Sequence, residues 1–298
     1  MNSSDHPRIP LVSAGRIVTL ALNTLTELTR LKIFYFLLIF ALLVIGNSVF
    51  MAQLSFEEEF QMLKDVALGA MSIFTALIAI LATAMLIPKD VEDRTIYTIL
   101  AKPVPRFEYL AGKLLGIALL LAIAIAVMTA LFLTALWFRE SAVIAEATRQ
   151  AVNLPPEDLT RAIEQIKAST FNVNLLPGIV MIFAKAMVLA AFTLFVSTFA
   201  SSSIFAMFIS IAVYFIGHLQ ATAREYWLEG QVAQWWTKIL LAIVALIFPD
   251  LQAFSFNDQI VGGLAIPAGL FLQSLGLAAF YVLVYYAIAT FLFTNREL

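Results

Sequence analysis

"PKDVEDRTIYTILAKPVPRFEYLAGK", residues 88–113, carries five Lys or Arg, four Asp or Glu and three of the chain's ten prolines. It separates two of the most apolar stretches in the protein, "LGAMSIFTALIAILATAMLI" (68–87) and "LLGIALLLAIAIAVMTALFLTALWF" (114–138). Either stretch is long enough as a helix to cross a hydrocarbon layer of about 30 Å. The charged piece must therefore lie at a membrane face, between two spans.

Working outward, the rest of the 298 residues repeats this pattern. Hydrophobic residues make up 62% and charged residues 13% of the chain, roughly half the charged share of a soluble domain. The continuous apolar runs exclude the ten-residue alternation of a β-barrel. The reading is an all-α polytopic membrane protein, one transmembrane domain over 1–298. Its six spans fall near 33–54, 66–87, 113–138, 178–200, 204–220 and 269–294. The polar N-terminus, with its first long apolar run only near Ile33, predicts a retained first span rather than a cleaved signal. Cysteine is absent, which excludes disulfides and thiolate metal sites.

Charge sets the expected orientation. With the N-terminus inside, the inner segments carry +3 and the outer segments −6, so both termini are expected in the cytoplasm. Residues 11–32 read as an interfacial amphipathic helix, with Leu11, Ala14, Val18, Ala21, Leu25 and Leu28 on one side. Ser13, Arg16, Asn23, Glu27 and Arg30 line the other. The external loop 139–177 holds two helical stretches, "SAVIAEATRQAV" and "EDLTRAIEQIKAS", the second started by Pro155-Pro156 and carrying a Glu157–Arg161 pair. It is either a cap or docking surface, or a solvated hairpin joining two spans. The segment 221–268 is external, and its apolar stretch 238–248 is too short to span, so it reads as interfacial or re-entrant.

Within 88–113, Pro88 and the acidic Asp90, Glu92 and Asp93 predict a helix N-terminus. Lys89–Asp93 and Asp90–Arg94 stand four apart. "KPVP" then breaks the helix, and Pro105 starts another that runs through Gly112-Lys113 into span three. A helix, a stiff elbow and a second helix are more than a simple link requires.

At this point the sequence resembles the ABC-2 type transporter permeases, in particular the branch serving copper processing and nitrous oxide reductase maturation. The resemblance lies in Glu92, Arg94, Thr95, Ile96, Tyr97, Leu100, Lys102, Pro103, Val104, Arg106, Gly112, Lys113 and Gly116. It implies that 88–113 is a cytoplasmic coupling segment that docks on a separate ABC ATPase, with Glu92, Arg94, Thr95, Tyr97, Lys102 and Arg106 at that contact. It also implies a second permease copy, as a homodimer or a related heterodimer, in the cytoplasmic membrane of a prokaryote. ATP and Mg would then belong to the ATPase. This chain has no phosphate-binding G-x-x-x-x-G-K-[ST] of its own, and no cofactor, metal or nucleic-acid partner is expected for it. Enzymatic motifs are lacking as well, so the expectation is a non-enzyme.

Inside the spans, Lys185 is the charged residue to explain: either it snorkels to the outer surface, or it lines a translocation path. His218 reads as an interfacial belt residue. Tyr214, Tyr281 and Tyr285 can line a path, with packing and interfacial anchoring as the default. Gly112 and Gly116, four apart, allow close helix approach. Two rival functions remain open. One is a non-transporting membrane anchor for an ATPase in motility or envelope assembly; the other is an ion-gradient transporter.

Overall fold

The computed structural model describes residues 13–52, 59–92, 104–150, 155–229, 235, 236, 239 and 247–295. Among them the regular structure is entirely helical. The helices are α1 (Ala14–Thr29), α2 (Lys32–Ala52), α3 (Glu59–Glu92), α4 (Arg106–Gln150), α5 (Pro156–Thr170), α6 (Leu175–Phe199), α7 (Ser203–Glu229), α8 (Asn257–Val261) and α9 (Ala268–Asn295). Six of these elements, α2, α3, α4, α6, α7 and α9, supply helices long and apolar enough to cross a membrane.

The apolar composition is nearly uniform around α6, yet this helix is buried on most of its surface, because α3 and α9 pack on it. α9 is as apolar but buries only one stripe, Ser274, Ala278, Tyr285, Ala289 and Phe293. α2 likewise buries Phe34, Leu37, Ala41, Ile45 and Ser48 and exposes Phe36, Leu43 and Phe50. A bundle in lipid leaves apolar side chains outside as readily as inside, so these stripes mark helix neighbours rather than hydrophobicity.

α4 is 45 residues long, about 67 Å at helical rise and more than twice the hydrocarbon thickness. The stretch from Ser141 to Gln150, expected as part of a separate loop, is the unbroken continuation of span three. Its base receives α1 lengthwise. Ser13 and Arg16 face Glu108, and Ile17 and Leu20 face Gly112. Ala21 and Thr24 face Gly116. A Cβ at Gly116 would lie 2.6 Å from the Thr24 Cβ and 2.8 Å from the Ala21 carbonyl oxygen, so no larger residue permits this approach.

Two local expectations change. Pro88 does not begin a helix: α3 runs through it to Glu92. Proline costs the bond to the carbonyl four residues earlier, but Ile87, Pro88 and Asp90 are all buried there, and packing holds the turn. The sides of α1 also differ from the sequence partition. Ala14 and Val18 are exposed, whereas Arg16 and Glu27 turn toward neighbouring helices and find partners there. Asp93, and with it the expected Lys89–Asp93 pair, lies outside the described residues, as does most of 238–248.

Candidate functional site

The described part of the 88–113 segment ends in a dense polar junction. The last turn of α3 and the first turns of α4 meet α1 on one side and α9 on the other. Pro105 precedes α4, and its carbonyl accepts the Tyr109 N–H at 3.2 Å. Arg106 Nη1 donates to the carbonyls of Phe293 (2.6 Å) and Thr294 (2.8 Å), in the last turn of α9. A cation at that place satisfies orphan carbonyls and opposes the negative end of the helix dipole. Its guanidinium also lies 5.8 Å from the centre of the Phe293 ring. The Tyr286 hydroxyl adds a bond to the Phe107 carbonyl at 2.7 Å.

One turn deeper, Tyr109 is fully buried, stacks on Phe293 at 5.6 Å and donates its hydroxyl proton to Asp90. Lys113 bridges two carboxylates, Asp90 at 2.8 Å and Glu27 at 3.2 Å. Lys89 stands 3.7 Å from the other oxygen of Glu27. Beside them, Glu108 has no exposed side-chain surface and accepts from Arg16 Nε (2.6 Å), Arg16 Nη2 (2.8 Å) and the Ser13 N–H (2.8 Å). The hydrogen bond from Arg16 to Glu108 raises the pKa of the guanidinium above its ordinary value. Asp90, Glu108 and Lys113 are tolerable in this buried setting because each has an opposite charge and further hydrogen bonds. Through them α1, α3 and α4 are tied at one level, and Arg106 and Tyr109 join α9 to it.

Of the residues expected at the ATPase contact, Glu92 is exposed at the end of α3 and Arg106 is engaged with α9. Arg94, Thr95, Tyr97 and Lys102 lie outside the described residues. Gly112 and Gly116 form the seat for α1. No sequence motif marks Glu108 or Tyr109, and helical spacing alone puts Glu27 and Arg16 on the polar side of α1. A signal was present: Tyr109 and Lys113, four apart, share a helix face, but their partners sit 19 to 86 residues away.

Mid-bundle, Lys185 is 4% exposed and does not snorkel. Its Nζ donates to Ser72 Oγ at 3.1 Å and lies 2.9 Å from His218 Nε2. His218 Nδ1 is 2.9 Å from the Tyr214 carbonyl, which can only accept. The proton is therefore on Nδ1, and Nε2 offers its lone pair to the ammonium. His218 is thus an inward partner rather than a belt residue. Tyr214 joins this group, its ring centre 4.3 Å from that of His218. Tyr281 and Tyr285 do not: they belong to an aromatic cluster with Phe192 and Phe195, and the Tyr285 hydroxyl donates to the Ile247 carbonyl at 2.9 Å.

The family model described as "ABC-2 family transporter protein" matches residues 31–223, more than half of the chain. No curated protein is matched.

Proposed function

From the chain's membership of the ABC-2 transporter family, a family of multi-pass permeases of ABC transporters, we propose that it exports its substrate as one of two permease copies driven by a separate ATPase. ATP and Mg act on that partner, and residues 88–113 dock on it from the cytoplasm. The observation that supports this most is the ion-paired junction at both ends of that segment. Asp90 at the end of α3 and Lys113 in α4 are joined directly at 2.8 Å. A displacement applied between them reaches α3 and α4 together, and α1 and α9 through Glu27 and Arg106. Packed and ion-paired elements of this kind pass on rigid-body motion rather than absorbing it. The finer resemblance, to the nitrous oxide reductase maturation branch, rests on the motif residues alone and brings no cargo with it.

The test is reconstitution with an ABC ATPase that co-purifies with the chain. Changing Arg94 and Tyr97 to Ala is expected to abolish stimulation of ATP hydrolysis while the permease keeps its melting temperature. Full stimulation by the double variant would overturn the coupling role. Stimulation without flux into vesicles would instead favour an anchoring role over export.

A further inference from the structure

A cavity of about 420 Å³ opens beside the junction, between α1, the end of α3 and the base of α4. Its polar lining includes Asn23, Glu27, Arg30, Lys89, Asp90 and Lys113, and Leu20 and Leu31 add apolar walls. Lys113 and Asp90 are buried, at 3% and 6% exposure. Lys89 and Lys113 are balanced by Glu27 and Asp90 through the ion pairs already described. Arg30 is left over: it lines the cavity, is exposed, and its side chain makes no ion pair or hydrogen bond among the described residues. The described lining thus carries one excess positive charge, on a side chain whose fork suits a phosphate.

The surroundings say what kind of phosphate. Arg30 ends α1 just before α2, whose Tyr35 and Phe36 are 51% and 67% exposed. On α1 itself Val18 and Leu22 are each 53% exposed. Bare apolar surface on both helices flanking a polar cavity marks the boundary between headgroups and hydrocarbon. A protein partner from the cytoplasm would need a polar rim there, not exposed Phe and Leu.

We propose that this cavity binds the headgroup of an anionic glycerophospholipid of the inner leaflet, its phosphodiester held by Arg30 with Lys89 nearby and its glycerol end against Leu20 and Leu31. The site stands independently of the transport role. A lipid bound here touches both α1 and the end of α3, so occupancy stiffens the seat of α1 on α4.

The experiment is native mass spectrometry of the detergent-purified full chain titrated with phosphatidylglycerol or phosphatidylcholine, with melting curves as a check on folding. One phosphatidylglycerol is expected to bind in preference to phosphatidylcholine. Arg30→Gln should weaken it about tenfold, the loss of one charge-assisted contact, and Arg30→Gln/Lys89→Gln further. Arg30→Lys, which keeps the charge and loses the fork, should fall between and covers the case in which the Gln variants fail to fold. Lys32→Gln, at an exposed lysine outside the cavity lining, should leave binding within about twofold, since a solvated charge that makes no direct contact with the phosphate contributes little. Equal weakening by Lys32→Gln, or none by the Arg30 variants, overturns the proposal. So does displacement of the lipid by millimolar inorganic phosphate, which would mark a free-anion site, or by the ATPase subunit, which would assign the cavity to that partner.

Discussion

At the end of the bundle where α1 lies, buried Glu108, Lys113 and Asp90 hold α1, α3 and α4 together through charge. At the opposite end the corresponding work falls to shape. Leu251, Phe254, Phe256 and Ile260, from the segment before α9, are buried against the bundle. They enter where glycines leave room: Ile260 meets Gly178 and Leu251 meets Gly217, whose carbonyl also accepts the Leu251 N–H at 3.0 Å. Polar contacts there are few and separate. Arg139 pairs with Glu59 at 2.6 Å, and Lys64 donates to the Ser169 carbonyl at the end of α5. Asn174 Nδ2 donates to the Leu264 carbonyl at 2.6 Å. A charge network fails as a unit when one member is lost, whereas separate contacts fail one at a time. The α1 end is therefore built to move as one body, and the opposite end to adjust locally.

The sharpest way to break this contrast is Lys113→Ala. It strands Asp90 and Glu27 without their bridge, and the expected loss is about 3–5 kcal/mol, read as a collapse in folded yield and melting temperature in detergent. An additive double-mutant cycle between Lys113→Ala and Asp90→Ala would show that no network exists.

Next come the glycine seats. Gly116→Val and Gly217→Val are each expected to cost about 1–3 kcal/mol by overpacking, one at either end. Gly69→Ala, where a Cβ meets nothing within 4 Å, should be neutral or slightly stabilising in mid-helix. Thermal melting of the three decides the matter, and a Gly217→Val variant as stable as the parent would remove the claim that shape closes the end opposite α1.

Arg139→Gln follows with a smaller effect, about 0.5–1 kcal/mol, because Glu59 is partly solvated and its pair is screened. The loss should shrink further as salt is raised, measured as melting temperature against ionic strength. Smallest is Glu157→Gln on α5, where both partners of the 3.9 Å pair with Arg161 are largely exposed. A change below about 0.5 kcal/mol is expected there, and a larger one would mean that α5 matters more to stability than its exposure implies.

Much of this was legible in the residues. Six apolar runs of spanning length gave the six helices, since a backbone in hydrocarbon must satisfy its own hydrogen bonds. Pro105 marked the start of α4, and Gly112 and Gly116 marked a close approach, although not that α1 is what approaches. The site was legible only as a place along the chain. The family resemblance puts Arg106 at the ATPase contact, whereas its side chain reaches the end of α9, nearly two hundred residues away. For Lys185 the sequence leaves snorkelling and path-lining both open, because its depth can be counted but its neighbours cannot. Ser72 and His218 come from two other helices.

The amino-acid sequence by itself determined that this protein lives in a membrane, where its spans begin and end to within a turn or a few, and that one charged segment between the second and third is unusual. Hydrophobicity and chain-local proline and glycine effects suffice for that, because they act within a few residues. Tertiary structure alone decided which face of α1 packs, which carboxylates Lys113 bridges, and that Lys185 points inward. Lipid and protein interior are both apolar, so periodicity cannot tell one from the other. Only the meeting of Gly116 with Thr24, of Glu108 with Arg16 and of Asp90 with Lys113 does so.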